Sequence, residues 1–362
     1  MTGSRLCILT FHSSRNYGAV LQAYALQKKL GEISCLTEIL DYRNEKIEEE
    51  LRLWTCKNRG IKPFTRALLA YLFRLRKKLA FEIFLHKYVR KSKRIHKGDL
   101  KAISCSYDIF VTGSDQVWNT DLTDNDDTYF LDFVDEDKCR IAYAASFGDG
   151  QIVIDENVKQ LLGKFQLITL REEKACTMVK EALSEDAKVC CDPTLLLESD
   201  RWKALASRCI KKKGYVFLFM IDESRKLAAY AKRLAEEEGL SVISNKNCFS
   251  FFLHISPNDF LSWVLYADFV VTNSFHGTVF SLLFEKKFVS HRFTEEGKPK
   301  VRIIELLDKV CLGHRVTDNQ TLNIDAEEDW KAIGNKLSEM RVESWNYMKN
   351  WLEDYVGRCT IA

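Results

Sequence analysis

No window of the sequence approaches the ~18–20 uninterrupted apolar residues of a membrane-spanning helix. The N-terminal RLCILTF is too short for a signal-peptide core and reads as a first strand, which points to a cytoplasmic protein. The twelve cysteines include no C-x-x-C pair and no regular framework, so neither a disulfide scaffold nor a dithiol redox centre is indicated. Cys7, Cys176 and Cys209 sit in apolar surroundings, where cysteine acts as a small hydrophobe. Adjacent Cys190 and Cys191 would point to opposite faces of a strand. No Cys or His pairs recur at ligand spacing, so no metal is expected. Repeats and low-complexity tracts are missing too, and there are four prolines. One of them lies in CDPTLLLESDRW, which reads as the end of a first domain near residue 200.

What remains is a chain of 362 residues, 46% apolar and 29% charged, which fits a folded protein of two domains. Its formal charge of +3 is unevenly spread. Residues 57–101 hold fifteen Lys or Arg against only Glu82 and Asp99. Within them Leu68, Leu72, Leu75, Leu79 and Ile83 recur at spacings of three and four, one stripe of a helix. Two readings stay open: a helix packed on its own domain with a solvated basic back, or a basic amphipathic helix lying on an anionic membrane through residues 64–97. A nucleic-acid partner is not expected, because the aromatics fall in the apolar stripe and form no stacking platform.

Strand-like runs alternate with helical ones. Residues 6–11, 36–42, 107–113, 140–148, 165–170 and 187–191 read as strands, with a helix from Tyr17 to Leu30 and another from Glu172. The second half repeats the pattern at 215–221, 241–245 and 268–273, with Ser256 as a helix N-cap and a long helix from Ala326 to about Val356. The economical architecture is α/β, with two Rossmann-like domains facing across a cleft and ligands at the carboxyl ends of the strands. The expected domains are 1–200, carrying a basic helical insertion at about 57–101, and 201–362.

Three strand ends break the apolar alternation in the same way. Strand one empties into FHSSRNYG, a buried strand opens onto Gly113, Ser114 and Asp115, and VVTNSFHGTVF opens onto His276, Gly277 and Thr278. Glycine at such a turn lets backbone amides approach a ligand at a helix N-terminus. Each alone has a plain structural reading, since glycine turns cap many helices and a histidine there is often a structural hydrogen-bonder. Their joint occurrence is the stronger signal.

NYGAVLQAYALQKKL, VTGSDQVWN, TLREEKA, CDPTLLL and TNSFHGTVFSLLFEKKF occur in the order and spacing of the polysaccharide pyruvyltransferase family, which the chain resembles over roughly residues 6–315. The resemblance implies a GT-B-like enzyme that moves the enolpyruvyl-derived group of phosphoenolpyruvate onto two hydroxyls of a sugar. A cyclic pyruvate ketal forms and phosphate is released. The chain looks most like the capsule and exopolysaccharide members, which implies a lipid-linked saccharide acceptor. The first domain would serve the acceptor and the second the phosphoenolpyruvate. No cofactor is expected beyond phosphoenolpyruvate as co-substrate.

Such chemistry must protonate the methylene carbon, stabilise positive charge at the central carbon and take a proton from each hydroxyl. His276 is the expected general acid or phosphate-side donor, with the amides around Gly277 and Thr278 on the phosphate. Arg171 matches the family's Arg-Glu motif and is by resemblance a donor-binding cation, a surface ion pair being the alternative. Asp115 is the candidate base, an Asx-turn or cap the alternative. Ser114 and Gln116 beside it, and Asn16 and Gly18, are the other expected contacts of this half. Lys300 and Arg302 fall where members often carry cations. Some members have Arg where this chain has Ser274, so a phosphate-binding charge would have to come from Arg292, Lys300 or Arg302. A nucleotide-sugar glycosyltransferase and a non-catalytic scaffold of capsule assembly docked on the membrane remain as rivals.

Overall fold

Runs such as Leu6–Leu9, Ile109–Val111 and Phe269–Val271 are apolar on both faces, so they are stable only as strands covered on both sides. The structure, a computed structural model, describes residues 4–34, 36–51, 64–148, 152–184, 186–210, 213–246, 248–293, 297–317 and 327–361. Lys57, Arg59 and Lys62 of the basic segment and the expected helix start at Ala326 lie outside those residues. In chain order the elements that matter for the site are β1 (Arg5–Leu9), α1 (Tyr17–Leu30), β2 (Leu36–Tyr42), α2 (Phe64–Tyr88), β3 (Lys91–Ile95), β4 (Ile109–Thr112), β5 (Cys139–Ala145), β6 (Leu167–Leu170), α3 (Glu173–Leu183) and β7 (Lys188–Val189). There follow β8 (Tyr215–Phe219), α4 (Arg225–Glu237), β9 (Ser241–Ser244), α5 (Phe249–Leu253), α6 (Pro257–Tyr266), β10 (Phe269–Thr272), α7 (Phe275–Leu283), β11 (Lys287–His291), α8 (Val301–Lys309), β12 (Val316–Thr317) and α9 (Trp330–Ile361).

The fold class is α/β, with two parallel sheets. The first runs β3-β2-β1-β4-β5-β6-β7 and the second β12-β11-β10-β8-β9. Every pairing between named strands is parallel. Both orders are doubly wound, and each reverses direction once: between β1 and β4 in the first sheet, and between β8 and β10 in the second. Those are the points where the loops at the strands' carboxyl ends diverge and leave a crevice for a ligand. In the first core Trp118 stacks on Phe130 at 5.2 Å and meets Phe147 and Phe165 at 5.2 and 5.8 Å. In the second, Phe260 lies 4.8 Å from Phe219 and 5.8 Å from Phe280, which meets Trp202 at 5.1 Å.

The sequence divides once, near residue 200, whereas the contacts divide the chain into residues 1–52, 85–196 and 338–362 against 53–84 and 197–337. The later part of α9 therefore clusters with the first sheet. Its Ser344 hydroxyl accepts the Cys191 amide at 2.9 Å, Arg341 donates to the Leu195 carbonyl at 2.8 Å, and Met348 and Leu352 are buried. The greater part of α2 clusters with the second sheet, where Phe73 stacks on Phe252 at 5.5 Å. Its leucine stripe does not pack inward. Leu68, Leu72, Leu79 and Ile83 are exposed, while Phe81, Phe84 and Leu85 are buried. The helix is apolar on two faces, and its aromatic face wins because it buries the larger side chains.

Candidate active site

In the first unit the site grows from the loop after β4. Gly113 has φ +99°, and a Cβ there would stand 2.5 Å from the Tyr143 carbonyl oxygen, so only glycine fits the turn. Beyond it Asp115 takes φ +73°, and its carbonyl accepts the amides of Val117 and Ser146 at 2.8 and 3.1 Å. The loop is thereby fastened to the end of β5. Across the switch point Thr10, just past β1, donates its hydroxyl to the Ser114 carbonyl at 3.0 Å, and Gln22 of α1 donates to Thr10 Oγ1 at 2.8 Å. Two strand ends are therefore tied by side chains that are all buried.

Arg171 follows β6 and lies under this loop, 6% exposed. Its Nη2 donates to Ser114 Oγ at 2.6 Å and meets Asp192 Oδ2 at 2.8 Å, while Nη1 stands 4.0 Å from Asp115 Oδ1. Asp192, 1% exposed, also accepts the Thr194 amide at 2.8 Å. Arg171 is thus not a surface ion pair. It carries a positive charge under the loop that presents Asp115, with Asp192 as its counter-ion. Asp115 Oδ1 accepts the Gln116 amide at 3.0 Å, and Gln116 Oε1 accepts Asn119 Nδ2 at 2.8 Å. Asn16 caps α1, taking the Gly18 and Ala19 amides at 2.9 and 3.5 Å, so the Gly18 N–H is already engaged by the chain itself. Burial pushes the thiols of Cys190 and Cys191 up to about 11 and about 12, which makes both poor nucleophiles.

A further pair at this sheet edge was not legible as a site. His12, fully buried after β1, contacts the Thr10 carbonyl through Nδ1 at 3.2 Å and Asp41 Oδ1 through Nε2 at 3.0 Å. Both partners are acceptors. Asp41 also takes Arg43 and Lys91 at 3.0 and 2.9 Å. Burial pushes the Asp41 carboxyl up, but the bonds and charges of His12, Lys91 and Arg43 outweigh it and hold the group well below the usual carboxylate range. The signal in the sequence was the histidine in FHSS, at the end of a strand.

In the second unit the site is the turn from β10 into α7. Ser274 caps α7, its Oγ accepting the Gly277 amide at 3.3 Å and its carbonyl accepting both the amide and hydroxyl of Thr278 at 3.0 Å. The amides of Phe275 and His276 are the two at this terminus that Ser274 does not take. Gly277 serves close packing: a Cβ would overlap Thr272 Oγ1 and lie 3.2 Å from Phe219 Cδ1. Asn273 spans the switch point, its Oδ1 accepting the Ile221 amide at 2.8 Å and its Nδ2 donating to the Asp222 carbonyl at 2.9 Å. His276 is 8% exposed, its ring 5.3 Å from that of Phe275.

Of the three expected cations, Arg302 touches this turn and Lys300 reaches Asp222 in the loop after β8, which Asn273 holds. Lys300 donates to Asp222 Oδ2 at 3.0 Å, and the Arg302 guanidinium lies over the Phe275 ring at 5.9 Å. Arg292 is exposed; its carbonyl accepts the Lys300 amide at 2.7 Å, and its guanidinium rests over Phe293 at 5.4 Å. Beside it His291, missed in the sequence, is 7% exposed and donates Nδ1–H to the Phe293 carbonyl at 2.8 Å. Its Nε2 is buried, and no described residue hydrogen-bonds it. Neighbouring Ser290 bonds Thr278 Oγ1 at 2.7 Å, which joins the end of β11 to α7. Among the described residues no group of three or more His, Cys, Asp or Glu side chains could hold a metal ion.

No curated protein matches the sequence. Solved structures match the chain at low identity. A protein described as a UDP-N-acetylglucosamine 2-epimerase from Listeria monocytogenes matches 96% of this chain and 91% of its own, at 11% identity and a TM-score of 0.47. UDP-GlcNAc 2-epimerase from Neisseria meningitidis matches 94% and 98% at 11% identity and 0.42, and ADP-heptose LPS heptosyltransferase II from E. coli 94% and 99% at 9% identity and 0.33. The profile of the polysaccharide pyruvyl transferases matches residues 16–290, from the cap of α1 through the His276 turn to the end of β11. The chain belongs to the polysaccharide pyruvyl transferase family.

Proposed function

We propose that the chain transfers pyruvate from phosphoenolpyruvate to two hydroxyls of a hexose in a lipid-linked polysaccharide precursor, forming a cyclic ketal and releasing phosphate. The observation that carries this reading is the turn after β10. It sets an imidazole, two helix-terminal amides and the cations Lys300 and Arg302 around the switch point of one sheet. A donor bearing a carboxylate and a phosphate needs such a collection of fixed positive charge and amide donors. His276 would protonate the methylene carbon, turning it into a methyl group and leaving cationic character at the central carbon. One sugar hydroxyl adds there and phosphate leaves; the second hydroxyl then closes the ring. Of the two hydroxyl protons, one balances the proton gained by the methyl group and the other leaves with phosphate. Asp115, presented by the loop after β4, would accept the first of them, with Arg171 beneath it holding the loop and its charge.

No cofactor enters this scheme. A polyprenyl-linked acceptor would place the enzyme on the cytoplasmic face of a membrane, and no described helix is long and apolar enough to cross one. The test is incubation with phosphoenolpyruvate and a panel of lipid-linked galactosides and hexosaminides, scoring phosphate release and a mass gain of pyruvate minus water. Thermal stabilisation by a nucleotide sugar, with none by phosphoenolpyruvate, would replace this reading by glycosyl transfer.

A further inference from the structure

We propose that α2 and α5 together form a pad by which the second unit lies on an anionic membrane surface. The inference rests on the lipid-linked acceptor proposed above and gives it a place on the molecule. Six of the ten large apolar side chains exposed among the described residues lie on these two helices: Leu68, Leu72, Leu79 and Ile83 on α2, at 44, 44, 50 and 66%, and Phe249 and Leu253 on α5, at 73 and 41%. Scattered exposed leucines need no explanation, but a concentration on two neighbouring elements does.

The two helices are fixed to each other, so the apolar groups move as one surface. Phe73 stacks on Phe252 at 5.5 Å, and Arg76 donates through Nε to the Phe252 carbonyl at 3.0 Å and through Nη2 to that of Leu253. Phe249 in turn lies 6.2 Å from Phe252. At about 100° per residue Leu68, Leu72, Leu75, Leu79 and Ile83 fall within a sector of about 80°. Arg76 and Lys87 flank that sector on one side and Lys78 on the other, where Glu82, the single acid of the helix, also lies.

Charge selects the occupant. A second copy seated on the same face by a two-fold axis would bring these cations against their own images, with Glu82 alone to offset them. An anionic lipid surface offers the opposite sign to the flanks and an apolar layer to the stripe, the arrangement of a helix lying in the membrane plane.

The experiment is flotation of the full chain with phosphatidylcholine vesicles and with vesicles of phosphatidylglycerol and phosphatidylcholine, read without turnover so that docking and transfer fail separately. The expected result is flotation with the anionic vesicles alone, weakened by salt. The triple variant L72Q/L79Q/I83Q and the pair K78E/K87E should each lower partition at least tenfold. Both should keep the wild-type melting temperature, because the altered side chains are solvent-facing, and any phosphate release with a water-soluble saccharide. No flotation with anionic vesicles, or equal flotation of the triple variant, would overturn the proposal. So would a lipid-free dimer of the wild type that the triple variant dissolves, since a second copy would then cover the pad.

Discussion

Replacing Gly277 by alanine is a sharp probe of how the His276 turn is held. An added Cβ would overlap Thr272 Oγ1 and lie 3.2 Å from both Phe219 Cδ1 and Thr272 Cβ, in a core where Thr272 is fully buried and Phe219 2% exposed. The threonine cannot turn away freely. Its hydroxyl donates to the Phe219 carbonyl at 2.7 Å and accepts the Ser274 amide at 3.0 Å. Overpacking costs about 1–3 kcal/mol, and disturbing a buried hydrogen bond adds about 1 kcal/mol. Against these, alanine gains at most about 1 kcal/mol in helix propensity. The net loss of about 2 kcal/mol corresponds to a drop of about 4–8 °C in Tm for a unit of this size. Calorimetry of G277A measures it. In a double-mutant cycle with T272A, which removes the overlapped oxygen, the pair should cost about 1 kcal/mol less than the two singles together. An unchanged or raised Tm for G277A would refute the packing argument, since helix propensity alone would then govern the site.

Two further outcomes follow from the first unit. Arg171→Met strands the buried Asp192 carboxylate and should destabilise by about 3–5 kcal/mol in urea unfolding, with most of the loss recovered in R171M/D192N; equal cost for the single and double variants would mean that the pair is not what Arg171 supplies. The carboxyl of Asp126 is pushed up by burial, but Lys97, Tyr42, Asn44 and Thr128 hold it below its ordinary value, as His12, Lys91 and Arg43 do for Asp41. A depressed folded value means stability that is present above the unfolded pKa of about 3.9 and lost as pH falls through the folded value. The urea-midpoint gap between wild type and D126N should therefore be constant from pH 8 down to about 5 and shrink below it; a gap that widens on acidification would contradict the assignment.

The strand ends were legible because polar and glycine residues interrupt runs that are otherwise apolar on both faces. Ser114, Asp115, Ser274 and His276 could be found that way, and so could the parallel α/β class. What periodicity could not supply was which face of a helix turns inward. The leucine face of α2 keeps helical spacing as well as the face bearing Phe81 and Phe84, and only the size of the buried rings decides between them. Nor does a pattern within α9 say which sheet it covers, since Ser344 is chosen by the amide of Cys191, far away in sequence. Asp192, Asp222 and Asn273 were missed for the same reason: each acts through a partner brought near by the fold, Asp192 through Arg171 and Asn273 through the Ile221 amide.

The claim on which the rest depends is that His276 and the charges around it act on phosphoenolpyruvate. The direct measurement is phosphate release from phosphoenolpyruvate, in the presence of a lipid-linked hexose, by wild type and His276→Asn side by side with their melting curves. The account predicts a fall of about 10²–10⁴-fold in rate, the range for losing a general acid, with Tm held. Wild-type release that survives the substitution undiminished would contradict it.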